Sequence, residues 1–327
     1  MWHNSFGTKF KIEIWGASHT PEIGVRIGGV PQGIALSEVD FEADLSRRRA
    51  SAKGTTARHE KDIPIFVSGL EGGITTGDPL EIVFQNGDVR SSDYSQFEQH
   101  PRPSHVDFTA RAKYGSEVDL RGSGQFSGRM TVLLVAAGVV AKKIVRNVSY
   151  KSSIVEIGGS RNSADFQPII EAAMRDGDSV GGVVECRAEG VKAGLGEPFF
   201  DSAESVISHL MFSVPAVKGV EFGSGFEGVR LRGSQRNDCF VDGDGHTATN
   251  NEGGINGGIT NGNDLVVRVA IKPTPSISCP QMTYNRALGE VAPLRIKGRH
   301  DACIVLRAAV VVESVVAIAL AELTLNS

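Results

Sequence analysis

Ionisable side chains stand beside glycines on presumed loops at three places in the chain. His19 lies in GASHT, directly after a strand pattern, and His105 lies in RPSHVD. The third place is 299–301, an arginine, a histidine and an aspartate that precede a long apolar segment. Imidazole and carboxylate groups at the ends of strands and helices can exchange protons with a bound substrate. These three places are the candidates for chemistry.

Arginine and lysine side chains gather at helix ends and on loops rather than on solvated helix faces. A ligand that carries several negative charges would use cations placed in this way. They are Arg47, Arg48, Arg49, Lys53, Arg58, Arg129, Lys272 and Arg299. The sequence lacks acidic clusters of metal-binding spacing and the GxSxG, Walker A and HExxH patterns, so we predict no metal.

The elements that would position these groups begin with a strand and a rigid loop. β-branched residues alternate from Leu265 to Ile271, which favours a strand. The loop that follows starts at Lys272 and continues as Pro-Thr-Pro-Ser. Two prolines fix φ and remove backbone donors, while two hydroxyls remain to bind. Such a loop can hold a phosphate or a flat ring.

Two regions of the chain resemble each other. GGITTGDPLEIVF begins at Gly72 and GGITNGNDLVVRV at Gly257, each a glycine turn followed by an alternating strand. GVPQG at Gly29 and GVKAGLG at Gly190 precede them as a second matched pair. We infer an internal duplication in which the two halves carry different insertions.

Helix signals follow the first pair and lie in the second half. The pattern predicts a helix from Ser37 to Arg49 and another from about Ser202 to Phe212, with the first serine of each as its cap. Residues 50–62 are polar without an apolar period and predict a mobile loop. The final segment, from Cys303 to about Leu325, is nearly all apolar and predicts a buried helix.

Composition limits the class of protein. The 327 residues include 40% hydrophobic and 22% charged side chains, as in ordinary globular proteins, with 39 glycines. A net charge of −4 offers no basic field for nucleic acid. Four scattered cysteines without a CxxC pair, together with an N-terminus that has no signal-peptide pattern, predict a cytoplasmic protein. The apolar runs from Thr131 and Val310 are too short or too interrupted by charge to span a bilayer.

The order of motifs along the chain resembles that of the chorismate synthases. The similarity covers nearly the whole chain and therefore carries far more weight than any single glycine pattern. Its motifs are GASHT, the RRR run, TTARHEKD, RPSHVDFTARAKYG, GSGQFSGR leading into VAAGVVAKKI, DSVGGVVE, GLGEPFFD, PAVKGVEFG, NNEGGINGG, KPTPSI and GRHDACIVLRA.

The resemblance implies a fold, a reaction and a cofactor. The fold would be α+β, a single domain over residues 1–327 with a β-α-β sandwich of antiparallel sheets and helices, assembled as a homotetramer. The reaction would be 1,4-anti elimination of phosphate from 5-enolpyruvylshikimate 3-phosphate to give chorismate, with reduced FMN and no net redox change. The resemblance further implies NADPH as the reductant through a separate flavin reductase, because no reductase domain is attached.

The resemblance also implies roles for individual residues. His19, His105 and Asp301 match the catalytic positions of the family. Arg48, Lys53 and Arg129 match substrate-binding cations, and Arg48 and Lys53 also match positions linked to NADPH. The flavin contacts would be Gln125, Phe126, Ser127, Pro215, Ala216, Gly257, Lys272, Pro273, Thr274, Pro275, Ser276 and Arg299.

Two motifs depart from the commoner family pattern. GESHG appears here as GASHT, with Ala17 and Thr20 in place of a carboxylate and a glycine. GRSSAR appears as residues 124–129 with Gln125 and Phe126, which removes a cation from the flavin turn. Two alternatives follow: a flavin-dependent lyase or oxidoreductase acting on another anionic phosphorylated ring, and a flavin-binding protein without catalysis. Retention of His19, His105 and Asp301 argues against the second.

Overall fold

The computed structural model describes residues 4–49, 52–55, 60–87, 95–298 and 300–327. Arg299 and residues 50, 51 and 56–59 of the predicted polar loop lie outside this part of the chain. The described strands are β1 (Ser5–Phe6), β2 (Lys11–Gly16), β3 (Glu22–Gly28), β4 (Ile65–Ser68), β5 (Leu70–Glu71), β6 (Ile74–Thr75), β7 (Leu80–Gln85), β8 (Ser149–Ile157), β9 (Gly182–Glu189), β10 (Val217–Phe222), β11 (Ile255–Asn256), β12 (Ile259–Thr260), β13 (Leu265–Ile271), β14 (Gln281–Asn285) and β15 (Glu290–Leu294).

The helices lie mainly between and beside two sheets. In chain order they are α1 (Val39–Arg48), α2 (Asp107–Tyr114), α3 (Thr131–Ile144), α4 (Ser163–Asp176), α5 (Ala203–Ser213), α6 (Gly225–Gly228), α7 (Gly233–Arg236) and α8 (Val305–Asn326). Short 3₁₀ turns precede α3, at Arg121–Phe126 and Gly128–Met130.

Both large sheets are antiparallel, which confirms the predicted α+β class. The first has the strand order β1-β2-β3-β7-β4 and the second the order β10-β13-β9-β8. In the first sheet Val25 lies opposite Ile82, and in the second Val267 lies opposite Cys186. All four side chains are buried because they point to the layer of helices between the sheets.

Two apolar helices form that layer. α3 packs along α8, α3 also contacts β3, and α8 contacts β8 and β9. A helix that is apolar on all sides must be buried on all sides, which explains why residues 310–323 of α8 are buried throughout. The helices approach closely at Gly138, where an added Cβ would lie 2.7 Å from the Ser314 Cα. Glycine is therefore required at this crossing.

The same two helical segments meet the length and composition expected of membrane spans. They are Arg121–Ile144 and Val305–Asn326. In the most apolar 18-residue window of each segment, 72% of the first and 83% of the second is buried inside the protein. The first segment is not one continuous helix, because residues 122–124 have non-helical, positive φ and α3 begins only at Thr131. The prediction that the final segment forms a buried helix is confirmed, and α3 is buried in the same way.

The structure repeats one topology in its two halves, residues up to 148 and residues from 149. The order β2-β3-β7-β4 in the first sheet corresponds to β8-β9-β13-β10 in the second. α1 and α5 occupy the same place in the two orders of elements, as do α3 and α8. Even the irregularities correspond, since β4 and β10 both shift register against the central strand of their sheet. This is the duplication that the GGIT pair predicted.

Two matched threonines show how the repeat arises from sequence. Thr75 Oγ1 donates to the Pro31 carbonyl at 2.6 Å and accepts from the Ile34 N–H at 3.0 Å. Thr260 Oγ1 donates to the Lys192 carbonyl at 2.7 Å and accepts from the Leu195 N–H at 2.9 Å. Both hydroxyls are buried, and each fastens its GGIT hairpin to the preceding glycine turn.

The helix-cap predictions had different outcomes. Ser202 caps α5 as predicted, since its side chain accepts from the Ser205 N–H. Ser37 does not cap α1, whose N-cap is Glu38. Ser37 instead donates its N–H and its hydroxyl to Asp40, at 2.7 and 3.0 Å. The acidic partner of the expected capping box is present, but its carboxylate accepts both bonds.

Candidate active site

A cavity of about 740 Å³ opens where equivalent ends of the two halves meet. The first half contributes the β2–β3 turn, the end of α1 and the segment before α3. The second half contributes the segment after α5, the loop after β13 and the segment before α8. A volume of this size suits small-molecule ligands. The two sets of ends form two walls with different chemistry.

The first wall is cationic and is organised by a buried carboxylate. Asp62 pairs with Arg48 at 3.3 Å and also with Arg129. All three side chains are nearly inaccessible. Arg48 donates in addition to Thr131 Oγ1 and to the Gly128 carbonyl, at 3.0 and 2.9 Å. Both guanidinium groups therefore keep fixed positions at the cavity edge.

His105 stands on this wall in a chain of hydrogen bonds. Its Nδ1 is 2.9 Å from Asp107 Oδ1, and its Nε2 is 3.1 Å from Ser123 Oγ. Arg102 grips Asp107 with Nε and Nη2, at 2.8 and 2.7 Å. Burial alone would raise the pKa of Asp107, but the hydrogen bonds from Arg102 and His105 hold that pKa well below its usual range. The Asp107 carboxyl is therefore ionised at any physiological pH.

The charge state of His105 follows from the same surroundings. Burial lowers the pKa of its imidazole below the usual value, although the hydrogen bond that the ring donates to Asp107 opposes this shift, and the positive charge of Arg102 lowers the pKa further. At neutral pH the ring is neutral. Because the Asp107 carboxylate can only accept, the neutral ring carries its proton on Nδ1.

Residues 122–124 adopt an unusual backbone that brings His19 and Ser123 to the cavity. Gly122, Ser123 and Gly124 all have positive φ, of 56°, 70° and 55°. A Cβ at Gly122 would overlap the His19 imidazole, so glycine lets the ring lie against the backbone. Ser123 has no such freedom, and its left-handed conformation is strained. In this conformation the Ser123 hydroxyl lies within hydrogen-bond distance of His105.

The second wall is less charged and more rigid. Pro215 and Ala216 line it, and Ala216 has a positive φ of 74°. The loop after β13 lines it with Lys272 and with the stretch 274–276. Lys272 Nζ donates to the Ser104 carbonyl at 2.7 Å, and Arg102 donates to Ser276 Oγ at 3.1 Å. These two bonds tie the second wall to the loop that holds His105.

Asp301 and His300 close the cavity beside α8. Asp301 pairs with Arg307 at 3.3 Å. Burial lowers the pKa of His300, and the nearby positive charge of Arg102 adds to the effect. Two buried polar atoms on this side, His300 Nε2 and Thr274 Oγ1, have no hydrogen-bond partner within the described chain. Unsatisfied buried polar atoms that line a cavity are suited to bind a polar ligand.

Most of the predicted site residues meet at this cavity. Those that line it are His19, Arg48, His105, Phe126, Ser127, Arg129, Pro215, Ala216, Lys272, Thr274, Pro275, Ser276 and Asp301. Gln125 and Pro273 neighbour lining residues without lining it themselves. Lys53 is mostly exposed and pairs with Glu171 on α4, and Gly257 lies in the β11–β12 turn away from the cavity. Arg299 lies outside the described residues.

Three residues that organise the site are not among the predicted site residues. Asp62 ends the TTARHEKD motif, but the motif did not indicate that its carboxylate pairs with Arg48 and Arg129. Asp107 was visible in RPSHVD, two residues after His105, and that spacing was the available signal. Ser123 is distinguished only by standing between two glycines that need positive φ.

Comparison of the chain with known proteins shows the family to which it belongs. The family model described as chorismate synthase matches residues 10–325. The chain belongs to the chorismate synthase family. It is therefore a carbon–oxygen lyase of aromatic amino-acid biosynthesis, as the motif order predicted.

Relatives and a solved structure agree over nearly the whole length. A chorismate synthase from Chitinophaga pinensis is 52% identical over 323 residues, which cover 98% of this chain and 96% of the relative. One from Korarchaeum cryptofilum is 42% identical, over 98% and 97% of the two chains. A crystal structure of chorismate synthase superimposes with a TM-score of 0.75 at 26% identity, covering 98% of this chain and 93% of the other.

Proposed function

We propose that the cavity between the two walls is where this chorismate synthase eliminates phosphate from 5-enolpyruvylshikimate 3-phosphate. The observation that carries the proposal is the convergence of His19, His105 and Asp301 with the Arg48–Asp62–Arg129 cluster in one cavity. The substrate carries a phosphate and two carboxylates, and buried guanidinium groups bind such anions with little reorganisation.

The residues of the second wall fit reduced FMN. Thr274 Oγ1 and His300 Nε2 are buried polar atoms that lack partners in the described chain, and the flat, rigid segment of Pro215 and Ala216 lies beside them. Lys272 supplies a cation at the same wall. These residues would hold the flavin, with Phe126 and Ser127 at the opposite edge. The chemistry that reduced FMN supplies when bound is transient electron donation, so the elimination proceeds without net redox change.

Each protein group has a distinct role in this proposal. Arg48 and Arg129 orient the substrate and stabilise negative charge on the departing phosphate. His105 is neutral at neutral pH and can take up or return a proton, and His19 does the same at the neighbouring loop. Asp301, held by Arg307, accepts a proton near the flavin wall. We propose that Lys53, Gly257 and Arg299 keep the roles given by the resemblance, outside the contacts described here.

Partners and location complete the proposal. The enzyme works in the cytoplasm as a homotetramer and receives reduced flavin from a separate reductase that uses NADPH. A flavin-dependent reaction on another phosphorylated ring would need a different arrangement of cations. The clustering of Arg48 and Arg129 on one carboxylate favours a single, defined anion position.

One assay tests the reaction. Anaerobic incubation of the protein with reduced FMN and 5-enolpyruvylshikimate 3-phosphate should release phosphate and chorismate in equal amounts. His105→Ala and Asp301→Ala should each slow turnover by about 100-fold or more while leaving the circular dichroism spectrum intact. Absence of both products with the wild-type protein sinks the enzymatic proposal, and unchanged turnover in either variant removes that residue from it.

A further inference from the structure

Ser123 holds a position that the proposed reaction does not yet use. It lines the cavity, its φ of 70° is costly for any residue other than glycine, and its neighbours on both sides are glycines with positive φ. A serine kept in a strained loop beside glycines indicates that its side chain has a use that offsets the strain. The side chain makes one contact that suggests this use, the 3.1 Å bond to His105 Nε2.

The direction of that bond is set by the rest of the chain. Arg102 donates to both oxygens of Asp107, so the carboxylate stays ionised and accepts the Nδ1–H of His105. The Nε2 of the neutral ring then has only a lone pair and accepts the Ser123 hydroxyl proton. The hydrogen bonds therefore run in one direction: Ser123 donates to His105 Nε2, and His105 Nδ1 donates to Asp107. The Ser123 oxygen keeps its remaining lone pairs for a ligand in the cavity.

We propose that Asp107, His105 and Ser123 form a proton relay in which the Ser123 hydroxyl is the point of exchange between His105 and the molecule bound in the cavity. Ser123 exchanges the proton with the bound molecule, whereas Asp107 is a positioning residue that orients the ring, and the inference rests on the proposed function of the cavity.

The step conserves protons and charge. When the imidazole is protonated, its Nε2–H proton passes to Ser123 Oγ while the Ser123 hydroxyl proton passes to a basic atom of the ligand. One N–H bond and one O–H bond break, one O–H bond forms on Ser123, and one bond to hydrogen forms on the ligand. The positive charge of His105 is lost as the ligand gains the proton. The reverse step returns the proton to His105.

The first test uses the free protein and does not depend on activity. Long-range proton–nitrogen NMR on histidine labelled with ¹⁵N distinguishes the two tautomers, and a His105→Gln sample assigns the signal. At neutral pH the relay requires the Nδ1–H tautomer, with Nε2 unprotonated. A neutral His105 that carries its proton on Nε2 overturns the proposal, since that ring could not accept from Ser123.

The second test separates the hydroxyl from the loop. Ser123→Ala and Ser123→Gly both remove the hydroxyl, but only glycine relieves the positive φ, so Ser123→Gly should melt at a higher temperature than Ser123→Ala. Both should lower kcat to the same extent, by about tenfold or more, with KM unchanged. Ser160→Ala, which removes an exposed hydroxyl bonded to Asp165, should leave kcat unchanged.

The outcomes are distinct. Equal losses of kcat in two variants of different stability support the relay, because a structural role would make the loss follow the melting temperature. Wild-type kcat in Ser123→Gly overturns it. Failure of the wild-type protein to form chorismate would instead refute the proposed function, and the tautomer measurement would still stand.

Discussion

The two halves of the molecule share a scaffold but differ in what they place at the cavity. Thr75 and Thr260 make the same pair of buried hydrogen bonds, within 0.1 Å of each other, and the central strands β7 and β13 occupy the same place in their sheets. At the matched ends, however, α1 finishes with Arg48 whereas α5 is followed by Val214, Pro215 and Ala216.

The difference shows how a duplicated fold builds an asymmetric site. In the first half, residues 49–64 separate α1 from β4 and bring Asp62 back to Arg48 and Arg129. In the second half, residues 214–216 alone connect α5 to β10, and this Val-Pro-Ala linker contains no carboxylate. One wall therefore becomes a cluster of fixed charges, and the other becomes a less charged surface built around Pro215 and Ala216. The proposed anionic substrate and flat cofactor would use these two different surfaces.

The largest expected effect comes from breaking the charged wall. Asp62→Ala leaves the buried guanidinium groups of Arg48 and Arg129 without their carboxylate, and an unpaired buried charge typically costs about 3–5 kcal/mol of unfolding free energy. Urea denaturation measures the change. Glu171→Ala is the matched control, because its ion pair with Lys53 is solvent-exposed and should contribute nothing measurable. A loss below about 1 kcal/mol in Asp62→Ala would show that the wall is not organised by this residue.

A smaller effect tests the equivalence of the halves. Thr75→Val and Thr260→Val keep the side-chain shape but leave a buried N–H and a buried carbonyl without the hydroxyl, which should cost about 1–3 kcal/mol in each variant. Equivalent scaffolds predict nearly equal losses in urea denaturation. A large loss of unfolding free energy in one variant with no loss in the other would mean that the two matched hydrogen-bonded turns do not contribute equally to stability.

The sequence predicted the scaffold better than the details of the site. The GGIT pair was sufficient to infer a duplication. The motif recurs in both halves because its threonine makes the same hydrogen bonds to the preceding glycine turn in each half. The burial of α3 and α8 followed from their uniform apolarity, and the helix predicted from Cys303 to about Leu325 agrees with the observed bounds of α8. The pairing of Asp62 with Arg129 joins residues 67 positions apart across an irregular loop, and no periodicity encodes such a contact.

The motifs supplied the candidate reacting groups but not their hydrogen bonds. RPSHVD contains Arg102, His105 and Asp107, yet the bonds among them depend on the turn at Ser104, whose φ is 55°. Ser276 and Lys272 reach this loop from the other half of the chain, at 3.1 and 2.7 Å. Contacts between halves of a duplicated fold require the tertiary structure, because they are set by how α3 and α8 pack.

The most direct test of the two-walled site is a crystal structure of the protein with FMN and 5-enolpyruvylshikimate 3-phosphate. We expect the flavin ring to lie against Pro215, Ala216 and the loop from Lys272 to Ser276. The substrate should lie between the flavin and the side chains of Arg48, Arg129 and His105. Density for the flavin outside this cavity, or a substrate that contacts neither arginine, would contradict the account.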